Sequence, residues 1–317
     1  MSSPTTSYSL PSYLVTPSEL STALSKNIHS RLSTAPRIIP LSAAWFLPND
    51  PQKRTGWGSY VAKRIPHSRF FDLDKVKDEE SPYPHMLPTP EVFAREMGKL
   101  GIKRDDTVVV YDTAEVGIFS APRVAWTLRV FGHPEVHLLN NFRAWVDEGY
   151  PVEEGEPSEN VEEVAYAVPE MNNSMVVAFE EVKERVTEQG KEGAEEVQVL
   201  DARPEGRWKG TAPEPRKGLS PGHMPNSLNI PHTTLLDPKT GAFLPTEKLK
   251  QIFQEKGVDP SKPIISSCGT GVTATVVDTA LTEAGFNPDT RQVYDGSWTE
   301  WAQRVKQGEN LIVKEEN

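Results

Sequence analysis

Hydrophobic positions along the chain change period several times, and the changes mark the elements. Short apolar runs rich in β-branched residues, VVVY at 108–111, VQVL at 197–200 and PIIS at 263–266, have the length and composition of buried strands. Between them the spacing lengthens to that of helices. In KLKQIFQEKG, Leu249, Ile252 and Phe253 fall on one face and Gly257 supplies the stop. From Val272 to Ala284 the residues Val276, Val277, Ala280, Leu281 and Ala284 recur at helical spacing, and Gly285 ends the run. Strands alternating with helices predict mainly parallel sheets flanked by helices, an α/β fold with right-handed crossovers.

The pattern then repeats. PRIIPLSAAWF, KRIPHSRFFDLD, TPEVFAREMGKLGI, DTVVVYDTAEVGIFSAPRVAWTLRVFG and NNFRAWVDEGYP are answered in order by a second set. Those are VQVLDARPEGRW, GHMPNSLNIPH, PTEKLKQIFQEKGV, KPIISSCGTGVTATVVDTALTEAGF and YDGSWTEWAQR. Pro66 and Pro225, like Trp145 and Trp301, lie nearly the same distance apart in the chain, so two tandem copies of one domain are expected. PVEEGEPSEN, polar and without period, separates them. The expected division is 1–150, a linker over 151–175, and 176–317.

Composition agrees with this plan. The 317 residues suit two domains of about 150, and 37% hydrophobic residues with 7 Trp, 8 Tyr and 11 Phe suffice for two cores. No run approaches the roughly 18 apolar residues of a membrane span. A net charge of −11 argues against a nucleic-acid surface, which needs clustered Lys and Arg. The acidic stretches 153–163 and 180–196 read as solvated faces. One cysteine forbids an intrachain disulfide and suits a reducing compartment. The Ser/Thr-rich start lacks the features of a secretory signal, and its first arginine is Arg31. A cytoplasmic protein is expected, with mitochondria left open. The seven histidines show no metal-ligand spacing, and neither a dinucleotide loop nor GxxxxGK[ST] is present, so no metal or cofactor is expected. His223 reads as fixing a loop, and Trp298 and Trp301 as core.

Candidate chemistry gathers at Cys268. It sits between the carboxyl end of a strand and the amino end of a helix, where parallel sheets bind ligands. Gly269 and Gly271 allow the backbone to curl so that successive N–H groups point at one sulfur, favouring the nucleophilic thiolate. The first copy carries Asp112 at this place, in a loop two residues longer. A buried charge there would be costly, so an open site is expected, with thiol chemistry confined to the second copy. An arginine six positions after the cysteine, as phosphate-ester hydrolysis requires, is absent, because Ala274 stands there.

The stretch Cys268-Gly269-Thr270-Gly271-Val272-Thr273-Ala274 resembles the active loop of the two-domain rhodanese family, in its mercaptopyruvate sulfurtransferase branch. SPYPHMLP (81–88), SAPRVAW (120–126), DARPEGRWKGTAPEPR (201–216), GHMPNSLNIP (222–231) and YDGSWTEW (294–301) extend the likeness from about residue 12 to 305. The resemblance implies two rhodanese-like domains, the first silent and the second forming a persulfide on Cys268. It implies that Arg207 and Arg216 hold the donor's carboxylate and keto oxygen, with Gly269, Thr270, Gly271, Val272 and Thr273 around the sulfur. Neutral residues after the cysteine suit the single carboxylate of 3-mercaptopyruvate better than the dianion thiosulfate. The implied acceptor is a thiol such as thioredoxin or a sulfur-carrier protein, the latter leading toward tRNA thiolation. The family's proton relay, a loop hydroxyl with a histidine and an aspartate, is not expected: Arg64 aligns with the histidine, His67 is a loose substitute, and no aspartate matches in PNDPQKRTG.

Overall fold

Two five-stranded sheets, parallel throughout, organise the chain in the computed structural model, which describes residues 10–27, 35–158, 161–306 and 308–315. The first nine residues of the Ser/Thr-rich start, His29, Arg31 and two residues of the 153–163 acidic stretch lie outside the described residues. The first sheet contains β1 (Leu14–Val15), β2 (Ile38–Ser42), β3 (Arg69–Phe70), β4 (Thr107–Tyr111) and β5 (Glu135–Leu139). The second contains β6 (Val176–Val177), β7 (Gln198–Asp201), β8 (Leu228–Asn229), β9 (Ile264–Ser267) and β10 (Arg291–Tyr294). Their orders, β1-β5-β4-β2-β3 and β6-β10-β9-β7-β8, are the same topology written twice. The repeat read from sequence is therefore a repeat in space.

All five residues of β4 and all four of β9 are buried, which is why these strands appear as continuous apolar runs without alternation. The expected helices form as well. Thr246–Glu255 buries Leu249 and Phe253, and Ala274–Glu283 begins beyond the cysteine loop and ends just before Gly285. That second helix packs against its counterpart from the first half, Ala121–Val130. Each is thus covered on nearly every side, and one hydrophobic cluster runs through the contact from Phe93, Val110 and Leu128 to Leu200, Phe253 and Val277. Trp298 and Trp301 are fully buried, as expected of core residues. His223 bonds the Trp208 carbonyl at 2.8 Å and stacks on its ring, so it does fix a loop. The described residues of 151–172 contain no helix or strand of their own, yet Tyr166 is buried, edge-on to Phe93 and bonded to His133. Among the described residues, no helix is long and apolar enough to cross a membrane.

The two halves exchange loops. Ile118 N–H donates to Gly241 O at 3.1 Å, and Phe243 N–H to Asn140 Oδ1 at 3.0 Å, which seats a hairpin of the second half over the Asp112 loop. The reciprocal contact runs from Leu87 N–H to Asp295 Oδ2 at 2.8 Å and seats residues 85–87 over the cysteine loop. At Gly241 φ is +74°, and a Cβ would stand 3.1 Å from Gly117 Cα, so only glycine lets the two backbones meet. Gly241→Ala is expected to lower stability by more than about 1 kcal/mol, measured as a reduced urea midpoint; an unchanged midpoint would contradict the close approach.

Candidate active site

Cys268 follows the last residue of β9, and the next helix begins only at Ala274. The intervening loop is anchored from the strand β10 side. Ser297 Oγ accepts the N–H groups of Cys268 and Gly271, both at 3.1 Å, while its own hydroxyl donates to Tyr294 O. Trp298 and Thr299 donate their N–H groups to the carbonyls of Cys268 and Gly269. Gly271 has φ +73°, and a Cβ there would come within 2.7 Å of both Arg123 Nη1 and Asp295 O. Two of the loop amides that sequence assigned to the sulfur are therefore held by Ser297. Those of Gly269, Thr270, Val272 and Thr273 donate to no protein group among the described residues.

The cysteine is not open to solvent as expected: Cys268 is only 2% exposed. A buried charge at the matching place in the first half is tolerated for a physical reason. Asp112 is buried too, but its carboxylate accepts the N–H groups of Phe119, Ser120 and Ala121 at 2.7 to 2.9 Å and the Ser120 hydroxyl at 2.7 Å. Those donors compensate the buried charge, although burial still pushes the carboxyl up to about 6. The first helix begins nine residues after Asp112 and the second six after Cys268, so the first loop is longer by three residues rather than two. Its cradle is closed around an anion of its own. In the second half the corresponding amides, at the same helix start, face no such group.

The structure also overturns the expectation about the relay. Thr270 Oγ1 lies 3.1 Å from His85 Nδ1, and His85 Nε2 lies 3.0 Å from Asp74 Oδ1. Because a carboxylate only accepts, Nε2 carries the proton, and Nδ1 is left to accept from the Thr270 hydroxyl. Asp74 is also bonded by Trp45 Nε1 at 3.1 Å, and the Trp45 ring meets His85 edge-on. Arg64 instead pairs with Glu153 and bonds Gly155 O. His85 stands inside SPYPHMLP, so its motif was visible; its partner was not, because the loop crosses from the other sheet. Burial, with the nearby Arg123 and Arg216, holds His85 below the usual histidine range despite Asp74, while His85 lowers Asp74 in turn.

Arg123, also unassigned from sequence, joins these parts. Its guanidinium reaches Asp295 Oδ1 and His85 O, both at 2.6 Å, and Gly271 O at 3.3 Å. Of the two arginines assigned to the donor, Arg207 is held by Glu214 through Nε and Nη2, and its Nη2 lies against Gly269. Arg216 makes no hydrogen bond or ion pair among the described residues, and it interacts electrostatically with Cys268. It lines a recess of about 440 Å³ together with Lys77, Lys217 and Thr299.

Twin sheets of one topology, only one presenting a thiol over its edge, define a tandem protein of the rhodanese class. The Rhodanese-like domain family matches residues 180–304. The chain belongs to this family and is a sulfurtransferase. It is 41% identical over 281 residues to a "Probable 3-mercaptopyruvate sulfurtransferase" of Schizosaccharomyces pombe, covering 88% of this chain and 91% of that protein. It is likewise 41% identical over 293 residues to "Thiosulfate sulfurtransferase TUM1" of Saccharomyces cerevisiae, covering 88% and 92%. The crystal structure of Tum1 from Saccharomyces cerevisiae superposes with a TM-score of 0.84 at 36% identity, over 96% of this chain and 98% of that one.

Ser297→Ala would leave the Cys268 and Gly271 amides buried and unpaired. A loss of about 1–3 kcal/mol is expected, read from denaturant unfolding; a change within a few tenths would show that the hydroxyl does not anchor the loop.

Proposed function

We propose that Cys268 takes sulfur from 3-mercaptopyruvate as a persulfide, releases pyruvate and passes the sulfur to a thiol. The carrying observation is a neutral loop, Gly269 to Thr273, beside a half-buried guanidinium, Arg216, that makes no hydrogen bond or ion pair among the described residues. A single carboxylate satisfies that guanidinium, bidentately and in plane. Arg207, fixed by Glu214, turns its remaining N–H groups toward the keto oxygen.

In the first step Cys268 Sγ bonds to the donor's sulfur. The C–S bond breaks, and its electron pair stays on carbon as the pyruvate enolate, whose charge Arg207 and Arg216 stabilise. The donor thiol's proton passes through Thr270 to His85 and returns to that carbon. The uncommitted amides of the loop hold the persulfide. An acceptor thiol then bonds to the outer sulfur, the S–S bond breaks, and the Cys268 thiolate is restored. Dividing the transfer in this way replaces one difficult step by two easier ones. On this reading the first domain, ending within 151–175, is catalytically silent because Asp112 fills its cradle. The acceptor is a thiol such as thioredoxin or a sulfur-carrier protein, and the setting is the cytoplasm or the mitochondrion.

Thiosulfate is the second reading, favoured by one fact: a relative of that name is as similar as the mercaptopyruvate one. Pyruvate release from 3-mercaptopyruvate with dithiothreitol is expected to exceed thiosulfate turnover with cyanide, and both should vanish in Cys268→Ser. Faster use of thiosulfate would overturn the choice of donor, and activity in Cys268→Ser would overturn the nucleophile.

The relay makes a separate claim about pH. A histidine held below 6.5 stays neutral, and able to accept, throughout the neutral range. The acid limb of kcat for pyruvate release should therefore lie below 6.5, because only there does His85 take up a proton. His85→Gln should lose that limb and slow the step on the order of a hundredfold. An unaltered profile would remove His85 from the reaction.

A further inference from the structure

Asp112 takes no part in the reaction, yet the first half keeps a buried anion where the second keeps its thiol. Burial alone would favour an apolar residue at such a place. The partners of Asp112 are the N–H groups of Phe119, Ser120 and Ala121 and the Ser120 hydroxyl, and no cation pairs with it among the described residues. An anion satisfied only by dipoles holds those dipoles in turn, since any N–H that turned away would leave buried charge uncompensated. What Asp112 fixes is the backbone of residues 119–121.

Two routes lead from that backbone to His85. Phe119 stacks its ring on Trp45 with 5.9 Å between centroids. Trp45 in turn meets His85 edge-on at 4.8 Å and donates from Nε1 to Asp74 Oδ2. Ser120 Oγ, 2.7 Å from Asp112 Oδ1, is also 2.7 Å from Ala43 O, just before Trp45 in the chain. The second route is the helix Ala121–Val130, whose positive dipole end faces this anion and which carries Arg123. Arg123 Nη2 donates to His85 O at 2.6 Å. One route thus braces the imidazole and its aspartate, and the other braces the main chain of the same residue. His85 depends on such bracing, because its φ of +64° is unfavourable for a residue with a Cβ and persists only where neighbours impose it.

We propose that Asp112 is a positioning residue for the proton relay of the second half, acting on His85 through Trp45 and Arg123. The inference rests on the sulfurtransferase reading above and adds to it a residue from the other half's cradle. The two cradles then use the same physics, amides converging on an anion, and in the first half the anion is permanent. A neutral side chain does not replace it. Asparagine has nearly the same shape but presents one acceptor and one NH₂ group to a site lined by donors. At least one amide then loses its partner, and residues 119–121 move. The first half is silent as a nucleophile but sets the geometry of the relay.

The test is a double-mutant cycle read in a single turnover. Pyruvate release from 3-mercaptopyruvate, without acceptor, is measured in wild type, Asp112→Asn, His85→Gln and the combined variant. Asp112→Asn should slow release about tenfold at saturating donor, with the half-saturating concentration unchanged within about twofold. In the His85→Gln background the same change should slow release less than about twofold, because the relay it serves is already gone. Equal losses in both backgrounds would assign Asp112 to general stability and overturn the proposal, as would an unslowed Asp112→Asn. Ser120→Ala removes only the hydroxyl between Asp112 and Ala43, and it carries the same cycle if Asp112→Asn does not fold. Its slowing should vanish likewise in His85→Gln, and no slowing would overturn the proposal.

A second readout is independent of turnover. In protein carrying isotope-labelled histidine, the NMR signals of the His85 imidazole are identified by their absence in His85→Gln. They should shift in Asp112→Asn and in Ser120→Ala. Unmoved signals overturn the proposal. Shifted signals in a protein that releases no pyruvate leave Asp112 as assigned and place the failure in the sulfurtransferase reading.

Discussion

One buried ion pair, Arg123 with Asp295, carries the arrangement on which the site depends. Arg123 is 1% exposed and comes from the helix that follows the Asp112 loop; Asp295 directly follows strand β10 of the other sheet. Burying two charges is costly unless every remaining donor and acceptor is used. Here both Nη atoms and both carboxylate oxygens are engaged, although Arg123 Nε stays buried without a partner: Arg123 also bonds His85 O and Gly271 O and lies over the Trp126 ring, while Asp295 also accepts from Leu87. A single guanidinium thus fixes the histidine segment, the cysteine loop and the distance between the two halves. Movement in any one of them would strip hydrogen bonds from a desolvated charge.

Duplication explains how such a site arises. Each half places a loop over the other's central strand, with the same N–H-to-side-chain contact at Leu87 and at Phe243. The contents have diverged. Over Cys268 the visiting loop brings His85; over the Asp112 loop it brings Gly241, which has no side chain and offers only its carbonyl, to Ile118 N–H. Asp112 itself demonstrates what the cradle is for, since three amides and a hydroxyl converge on its carboxylate. The same curl of backbone around Cys268 lacks a built-in anion, and sulfur bearing charge is what it can hold.

The arginines near the thiol are graded in commitment. Arg203 is buried between Asp201 and Glu214, a structural brace. Arg207 shares Glu214 and keeps one edge free. Arg216 makes no ion pair among the described residues, and burial together with Arg207 lowers its hold on its proton although Cys268, Asp74 and Glu214 act the other way. Only the last can accept a substrate carboxylate without breaking an existing pair.

Much of this was legible in the sequence, because strands, helices and the tandem repeat are local patterns. Apolar runs at 108–111 and 263–266, the helical spacing after Val272 and the matched segments of the two halves fix the α/β fold and place Cys268 between strand and helix. The neutral residues after the cysteine bear on the donor by their chemistry alone. The partner of Thr270 was beyond such reading. His85 lies 185 positions before Thr270, and the counterpart of its own segment in the other half carries glycine, so no spacing links the two. Burial of Cys268 and Asp112 likewise depends on which amides converge on them, a property of the folded loop. Local preference fixed the elements; the meeting of two domains decided which side chains share the site.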